Sequence, residues 1–121
     1  DAGDRVLVSV ADLLLKDTRE TDFCGRFGGE EFILLLPNTS LTEATVYAQR
    51  ICRHIGEDNV RLQNGSEVTI TGSAGVTEWL PEDKGEATIL RADKALYHAK
   101  NNGRNQVVAW DLGLDGGGII G

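Results

Sequence analysis

The stretch Arg26-Phe27-Gly28-Gly29-Glu30-Glu31-Phe32-Ile33-Leu34-Leu35-Leu36-Pro37 decides the fold. Gly28-Gly29 separates two strand-like segments, Asp22 to Phe27 and Glu31 to Leu36. Glycine supplies the positive φ that tight hairpin turns require, so the two segments are predicted to pair as an antiparallel hairpin. The run from Phe32 to Leu36 does not alternate, which predicts a central strand covered on both faces.

Upstream, Val6, Val10, Leu13 and Leu14 recur at helical spacing, giving a helix over about Asp4 to Lys16. Downstream, Ser40 with Glu43 forms a capping box. The helix it opens carries Leu41, Ala44, Ala48, Ile51 and Ile55 on one face. Val60 to Leu62 and Val68 to Val76 read as strands turned at Asn64-Gly65. Thr88 to Asn101 reads as a further helix with Ile89, Ala92, Leu96 and Ala99 inward and Gly103 as its C-terminal cap. Gln106 to Trp110 is a last strand. This order predicts an α/β sandwich, a mixed sheet with helices against it. Asp111 to Gly121 has five glycines among its eleven residues and reads as a linker or an added tail.

The 121 residues suit one small domain, 40% hydrophobic and 26% charged. No apolar run approaches the roughly 20 residues of a membrane helix. There is no signal-peptide pattern, and the absence of an initiator Met reads as a cut in a longer polypeptide. A net charge of −7 argues against binding a nucleic-acid polymer, which needs a basic face. It leaves room for a phosphate-bearing small molecule held by a few cations or a metal. Cys24 and Cys52 form no CxxC pair, and with His54 too thin for a metal site they read as reduced cytosolic thiols. His54 and His98 have no partner at ligand spacing. Asp93 is placed near the inward face of its helix, bonding to backbone, and Trp79 and Trp110 are expected to pack.

Glu30 and Glu31 are the first chemical candidates. Successive strand residues face opposite sides, so both carboxylates share a site only if the turn rotates one. On a glycine turn a carboxylate can approach a phosphate closely. Mg²⁺ commonly bridges carboxylates to substrate phosphates, an arrangement that suits nucleotidyl transfer. The plainer reading is a hairpin with two solvated glutamates at its tip. Lys100 and Arg104 are candidate phosphate ligands, a compact charge and a bidentate fork; otherwise they are solvated surface cations. Arg19-Glu20-Thr21-Asp22 offers an Arg that can stack on and fork to guanine and an Asp that can accept from it. The alternative is an ion pair ending the first helix.

Three groups of residues together carry a resemblance. Arg26 to Phe32 resembles the signature hairpin of the GGDEF family of diguanylate cyclase domains, in its Glu-Glu form. Thr71-Gly72-Ser73-Ala74-Gly75-Val76 resembles the family's later strand. Ala92 to Lys100, then Gly103-Arg104-Asn105, resembles its last helix and exit. The matches come in the family's order and span nearly all of residues 3 to 108.

The resemblance implies a ferredoxin-like, polymerase-palm-like mixed sheet flanked by helices over residues 1–110, with 111–121 outside. It implies condensation of two GTP into cyclic di-GMP with release of pyrophosphate, each of two domains holding one GTP, hence a homodimer. The 3′-hydroxyl of each GTP would attack the α-phosphate of the other. Glu30 would be a ligand of Mg²⁺ (or Mn²⁺) and the general base. Glu31 would assist at the metal, Gly28 and Gly29 would border the nucleotide, and Lys100 and Arg104 would hold phosphates. Arg19, Asp22 and Arg50 would form the RxxD product site through which cyclic di-GMP inhibits. The domain would sit in the cytoplasm, without membrane contact of its own, as the output of a sensor.

The family's opening strand and helix are lacking here. They supply an Asp and a backbone carbonyl to the metal, phosphate-binding amides, and an Asn and an Asp that read guanine. Asp4 falls near that last Asp. The isolated chain is therefore expected to be inactive and the parent active. The alternative is a catalytically incompetent module that binds cyclic di-GMP or GTP as a receptor; a purely dimerising domain is the weakest reading.

Overall fold

The computed structural model describes residues 2–17, 19–20, 22–28, 31–57 and 59–110. Helix α1 (Ala2–Asp17) leads to strands β1 (Phe23–Gly28) and β2 (Glu31–Leu35), and helix α2 (Leu41–Glu57) comes next. Strands β3 (Asn59–Arg61), β4 (Glu67–Thr69) and β5 (Ala74–Val76) precede helix α3 (Gly85–Asn101) and strand β6 (Val107–Ala109). Among the described residues the strands pair in twos: β1 with β2 and β3 with β4 antiparallel, β5 with β6 parallel. The sheet sense is therefore mixed, as expected.

Helix α2 starts where the capping box places it. The Glu43 N–H donates to Ser40 Oγ at 3.1 Å, and the Ser40 N–H donates to Glu43 Oε1 at 3.3 Å. Hydrogen bonding from Ser40, its backbone N–H first, holds the Glu43 carboxyl below its ordinary range. One stripe of α2, Ala44, Ala48, Ile51, Cys52 and Ile55, is buried. It serves two clusters. Ile51 and Ile55 pack with Leu14 of α1 and Phe32 of β2. Ala44, Ala48 and Cys52 pack with Ala74 and Val76 of β5. Burying Leu14 and Ile51 completely contributes about 1.5–3 kcal/mol each.

Strand β5 touches α2 and α3, and all three of its residues are buried. It is the strand covered on both faces, a role the non-alternating run had predicted for β2. In β2 only Phe32 is buried, and Leu35 is 43% exposed. The reason is an open edge: β2 has one partner among the described residues, and a cavity of about 770 Å³ lies between it and β5. Ile33, Leu34 and Leu36 line that cavity along with Gly75, Val76, Tyr47 and Ile89.

The single strand predicted over Val68 to Val76 is two short strands, β4 and β5, which pair with different partners. The change occurs under α2. A Cβ on Gly72 would lie 3.0 Å from Ile55 Cδ1 and 3.6 Å from Cys52 Sγ. A side chain there would have to push the Ile55 end aside, which favours glycine at this close approach. Cys24 and Cys52 are free thiols, and burial pushes Cys52 up to about 11.

Two further expectations are corrected. Asp93 is exposed, because Ala92, Ala95 and Leu96 fill the inward arc of α3 and leave position 93 outside it. Trp79 is 55% exposed; its indole N–H donates to the Asp83 carbonyl at 3.3 Å. Trp110 is half-buried beneath the Arg91 guanidinium, 5.0 Å from the ring centroid. Arg91 also pairs with Asp83 through both terminal guanidinium nitrogens, and that pairing holds the Asp83 carboxyl down at about 2. Among the described residues no helix is long and apolar enough to cross a membrane.

Candidate active site and product site

The hairpin forms with one irregularity that bears on its carboxylates. Arg26 pairs with Phe32 and Gly28 with Glu31, so β1 has one extra residue, Phe27, inside the pairing. A bulge of this kind bends the strand and re-aims the side chains beyond it. Gly29 and Glu30 lie outside the described residues, as does the side chain of Asp4. Gly28 closes β1 and Glu31 opens β2.

Glu31 is brought to the C-terminal end of α3. Its Oε1 lies 3.9 Å from Lys100 Nζ, with the two side chains 28% and 27% exposed. These residues are 69 positions apart, and only the tertiary fold brings them together. The separation makes an ion pair but no hydrogen bond, so both groups keep capacity for another partner. Arg104 lies three residues past the end of the helix. Its N–H donates to the Ala99 carbonyl at 2.9 Å, and Gly103 has φ +107°, the left-handed cap expected of it. Arg104 and Asn105 are also left-handed, at φ +59° and +49°. Each costs on the order of 1–2 kcal/mol for a residue with a Cβ.

The other end of β1 carries the second site. The Arg19 Nε donates to both Asp22 carboxylate oxygens at 3.2 Å, and Nη2 lies 3.1 Å from Oδ1. The Arg19 N–H adds a bond to Oδ2 at 2.9 Å, and the Asp22 N–H closes the turn onto the Arg19 carbonyl at 3.0 Å. The Asp22 side chain is completely covered, and 54% of the Arg19 side chain is exposed. Burial favours the neutral form of Asp22, but the bonds from Arg19 outweigh it and hold the carboxyl below its usual range. The ion pair expected as the plainer reading is thus present, and about half of the Arg19 side chain stays open to solvent.

Sequence reasoning missed two members of this end. Thr39 accepts from Arg19 Nη2 at 2.9 Å and donates onward to the Pro37 carbonyl at 3.0 Å. Tyr47 lies within the electrostatic reach of Arg19, and the Arg50 guanidinium stacks over its ring at 4.8 Å. Tyr47 therefore has a cationic neighbour in each of Arg19 and Arg50. The i, i+3 spacing of Tyr47 and Arg50 on one helix was the available signal. A loop threonine 20 positions from Arg19 offered none.

The donor set fits a hard divalent cation in one specific sense. Carboxylate oxygens suit such an ion, and no group of three or more potential metal-ligating side chains occurs among the described residues. A carboxylate such as Glu31 can take part in holding such an ion jointly with phosphates rather than in an all-protein cage.

The sequence model of the diguanylate cyclase GGDEF domain matches residues 1–106. The chain is 41% identical over 107 residues to diguanylate cyclase A of Treponema denticola, covering 88% of this chain and 29% of that protein. It is 43% identical over 106 residues to the diguanylate cyclase DgcP of Pseudomonas aeruginosa, covering 88% of this chain and 16% of that one. The GGDEF domain of DgcB from Caulobacter crescentus, crystallised in complex with c-di-GMP, superposes with a TM-score of 0.84 at 30% identity. That match covers 89% of this chain and 64% of the other. The active GGEEF domain of a diguanylate cyclase from Vibrio cholerae gives 0.76 at 35% identity, covering 89% and 68%. With the signature hairpin, the helix exit and the fold all in register, this chain belongs to the GGDEF family of diguanylate cyclase domains.

Proposed function

We propose that in its parent protein this domain condenses two GTP into cyclic di-GMP, two copies each presenting one GTP to the other. In each half-reaction the 3′-oxygen of one ribose bonds to the α-phosphorus of the other GTP, and the bond to the bridging oxygen of pyrophosphate breaks. The 3′-hydroxyl proton passes to Glu30, and pyrophosphate leaves with the electron pair. A divalent cation, Mg²⁺ or Mn²⁺, held by Glu30 and Glu31, would lower the charge repulsion at the phosphates when bound. Gly28 and Gly29 let the backbone approach the nucleotide, and Lys100 and Arg104 draw the phosphate chain to the end of α3.

The observation that carries this reading is the approach of Glu31 to Lys100. A carboxylate that holds a metal and a cation that holds a phosphate can act on one triphosphate from this separation. The test is Glu30→Gln in the parent protein, which is expected to abolish cyclic di-GMP formation while leaving the melting temperature unchanged. Turnover at the wild-type rate would remove Glu30 from the chemistry.

The cavity between β2 and β5 supports a second part of the reading. A further strand seated there would pair two edges that are open among the described residues. The 121-residue chain alone is expected to make no cyclic di-GMP, and measurable synthesis by it would refute that part.

Arg19, Asp22 and Arg50 are proposed to bind the product and restrain the enzyme. Arg19, oriented by a saturated carboxylate, offers its planar cation to a guanine, and Arg50 on Tyr47 offers a second. Calorimetry with cyclic di-GMP on wild type and Arg19→Ala tests it; equal affinities would dismiss the site.

A further inference from the structure

The turn after α3 keeps Gly103, Arg104 and Asn105 in left-handed backbone conformations in succession. A helix ending of this type needs one such residue, and Gly103 provides it without strain. Arg104 and Asn105 carry side chains that disfavour the same conformation, so the surrounding structure must impose it.

Two contacts do so. The Asn105 N–H donates to the Ser73 hydroxyl at 2.9 Å, and Ser73 is 3% exposed. The Gln106 side-chain amide nitrogen is directed at three carbonyls: Asn102 at 2.6 Å, Ala99 at 3.3 Å and Arg104 at 3.4 Å. Gln106 is itself fixed, because its carbonyl accepts from the Ala74 N–H at 2.9 Å where β5 begins. The turn is clasped between the last turn of α3 and the head of β5. Arg104 lies inside the clasp, its N–H bonded to the residue that precedes Lys100.

We infer that Ser73 and Gln106 are positioning residues for nucleotide binding. They hold the Arg104 backbone left-handed and so set where its guanidinium is delivered relative to Lys100. The ligand served is the polyphosphate chain of a nucleoside triphosphate. The inference rests on the proposed reading of Lys100 and Arg104 as phosphate contacts. It goes beyond that reading by assigning a role to two residues that touch no phosphate. Backbone strain of this kind persists where a site requires it, and a glycine at position 105 would have removed part of it.

The experiment uses the parent protein and the analogue guanosine α,β-methylene triphosphate with Mg²⁺, which binds but cannot react at the α-phosphate. Arg104→Ala tests the underlying reading: unchanged affinity for the analogue would sink it and this inference with it. With Arg104 shown to matter, Gln106→Ala and Ser73→Ala are each expected to weaken analogue binding about tenfold, the scale of a displaced side chain. Their affinity for cyclic di-GMP should stay at the wild-type value. Adding Asn105→Gly to Gln106→Ala should restore most of the lost affinity, since glycine adopts the conformation unaided.

A loss confined to the analogue and recovered by Asn105→Gly supports the assignment. Wild-type analogue binding in both single variants overturns it. So does an equal weakening of both ligands, or a failure of Asn105→Gly to restore binding, because either describes a general loss of fold. Should Gln106→Ala fail to fold, Ser73→Ala and its Asn105→Gly combination decide by the same criteria.

Discussion

The two ends of β1 are built differently. At its start, Asp22 is wholly covered and saturated by Arg19, and Arg19 is clamped again by Thr39. At its finish, Glu31 and Lys100 meet once, at 3.9 Å, and each remains about a quarter exposed. Six residues of strand, about 20 Å at ~3.3 Å per residue, separate them. The first end is organised by its own chain before any ligand arrives. The second brings opposite charges near without joining them, which leaves both able to engage a metal or a phosphate. Substitutions at the first end should therefore act through neighbours, and at the second directly on the ligand.

The largest effect is expected at the turn end. Lys100→Ala in the parent protein is expected to lower kcat/KM for GTP about a hundredfold, mostly through KM, as loss of a charge-assisted phosphate contact does. Cyclic di-GMP affinity should be unchanged. A drop in product affinity of the same size would merge the two ends and break the comparison.

At the Arg19 end, the proposed product site, Arg19→Ala is expected to weaken cyclic di-GMP binding about fiftyfold in calorimetry and to relieve inhibition in progress curves. Thr39→Val keeps the shape and removes the hydroxyl that accepts from Arg19. It should weaken the product about fivefold, the worth of one such hydrogen bond at ~1 kcal/mol, while GTP turnover stays the same. Full product affinity in Thr39→Val would show that Asp22 orients Arg19 without help.

Legibility in the sequence divides along the same line. The capping box, the glycine hairpin and the Gly103 cap are local, because both partners of each interaction lie within a few residues. The α2 stripe is also local, since its 3.6-residue period names its own buried face. Thr39, Ser73 and Gln106 are invisible in that sense. They act across 20, 32 and 7 positions through a hydroxyl or amide that carries no pattern. The resemblance singled out Lys100 and Arg104 but could not foresee the strain at Arg104. β2 misled because an apolar run reports burial, and the cavity beside it leaves that burial incomplete among the described residues.

Asp83 and Arg91 supply a third, fully joined pair, remote from both ends of β1 in sequence and 13% and 15% exposed. Such a pair should serve stability alone. The Asp83 carboxyl sits at about 2 in the folded domain, below its ordinary ~3.9. Its contribution is therefore complete above about pH 4 and is lost as pH falls through about 2. Asp83→Asn should lower the melting temperature at pH 7, and the gap to wild type should close between about pH 4 and about pH 2. A gap of constant size across that window would show that the carboxylate's charge is not what stabilises. GTP and cyclic di-GMP binding should be indifferent to the change.

The smallest effect is the sharpest control, because Ser40 is the immediate neighbour of Thr39. Ser40→Ala removes the hydroxyl that accepts from the Glu43 N–H and should cost about 1 kcal/mol of stability. Thr39 keeps its own bond to Pro37, so Arg19 should stay clamped. Product affinity is accordingly expected within about twofold of wild type in Ser40→Ala, against the roughly fivefold loss in Thr39→Val. Two adjacent hydroxyls on one loop would then separate cleanly, one serving the helix and the other the ligand. If Ser40→Ala weakened the product as much as Thr39→Val, the clamp on Arg19 would be a property of the whole loop's order, and the Arg19 end would be less locally built than its hydrogen bonds imply.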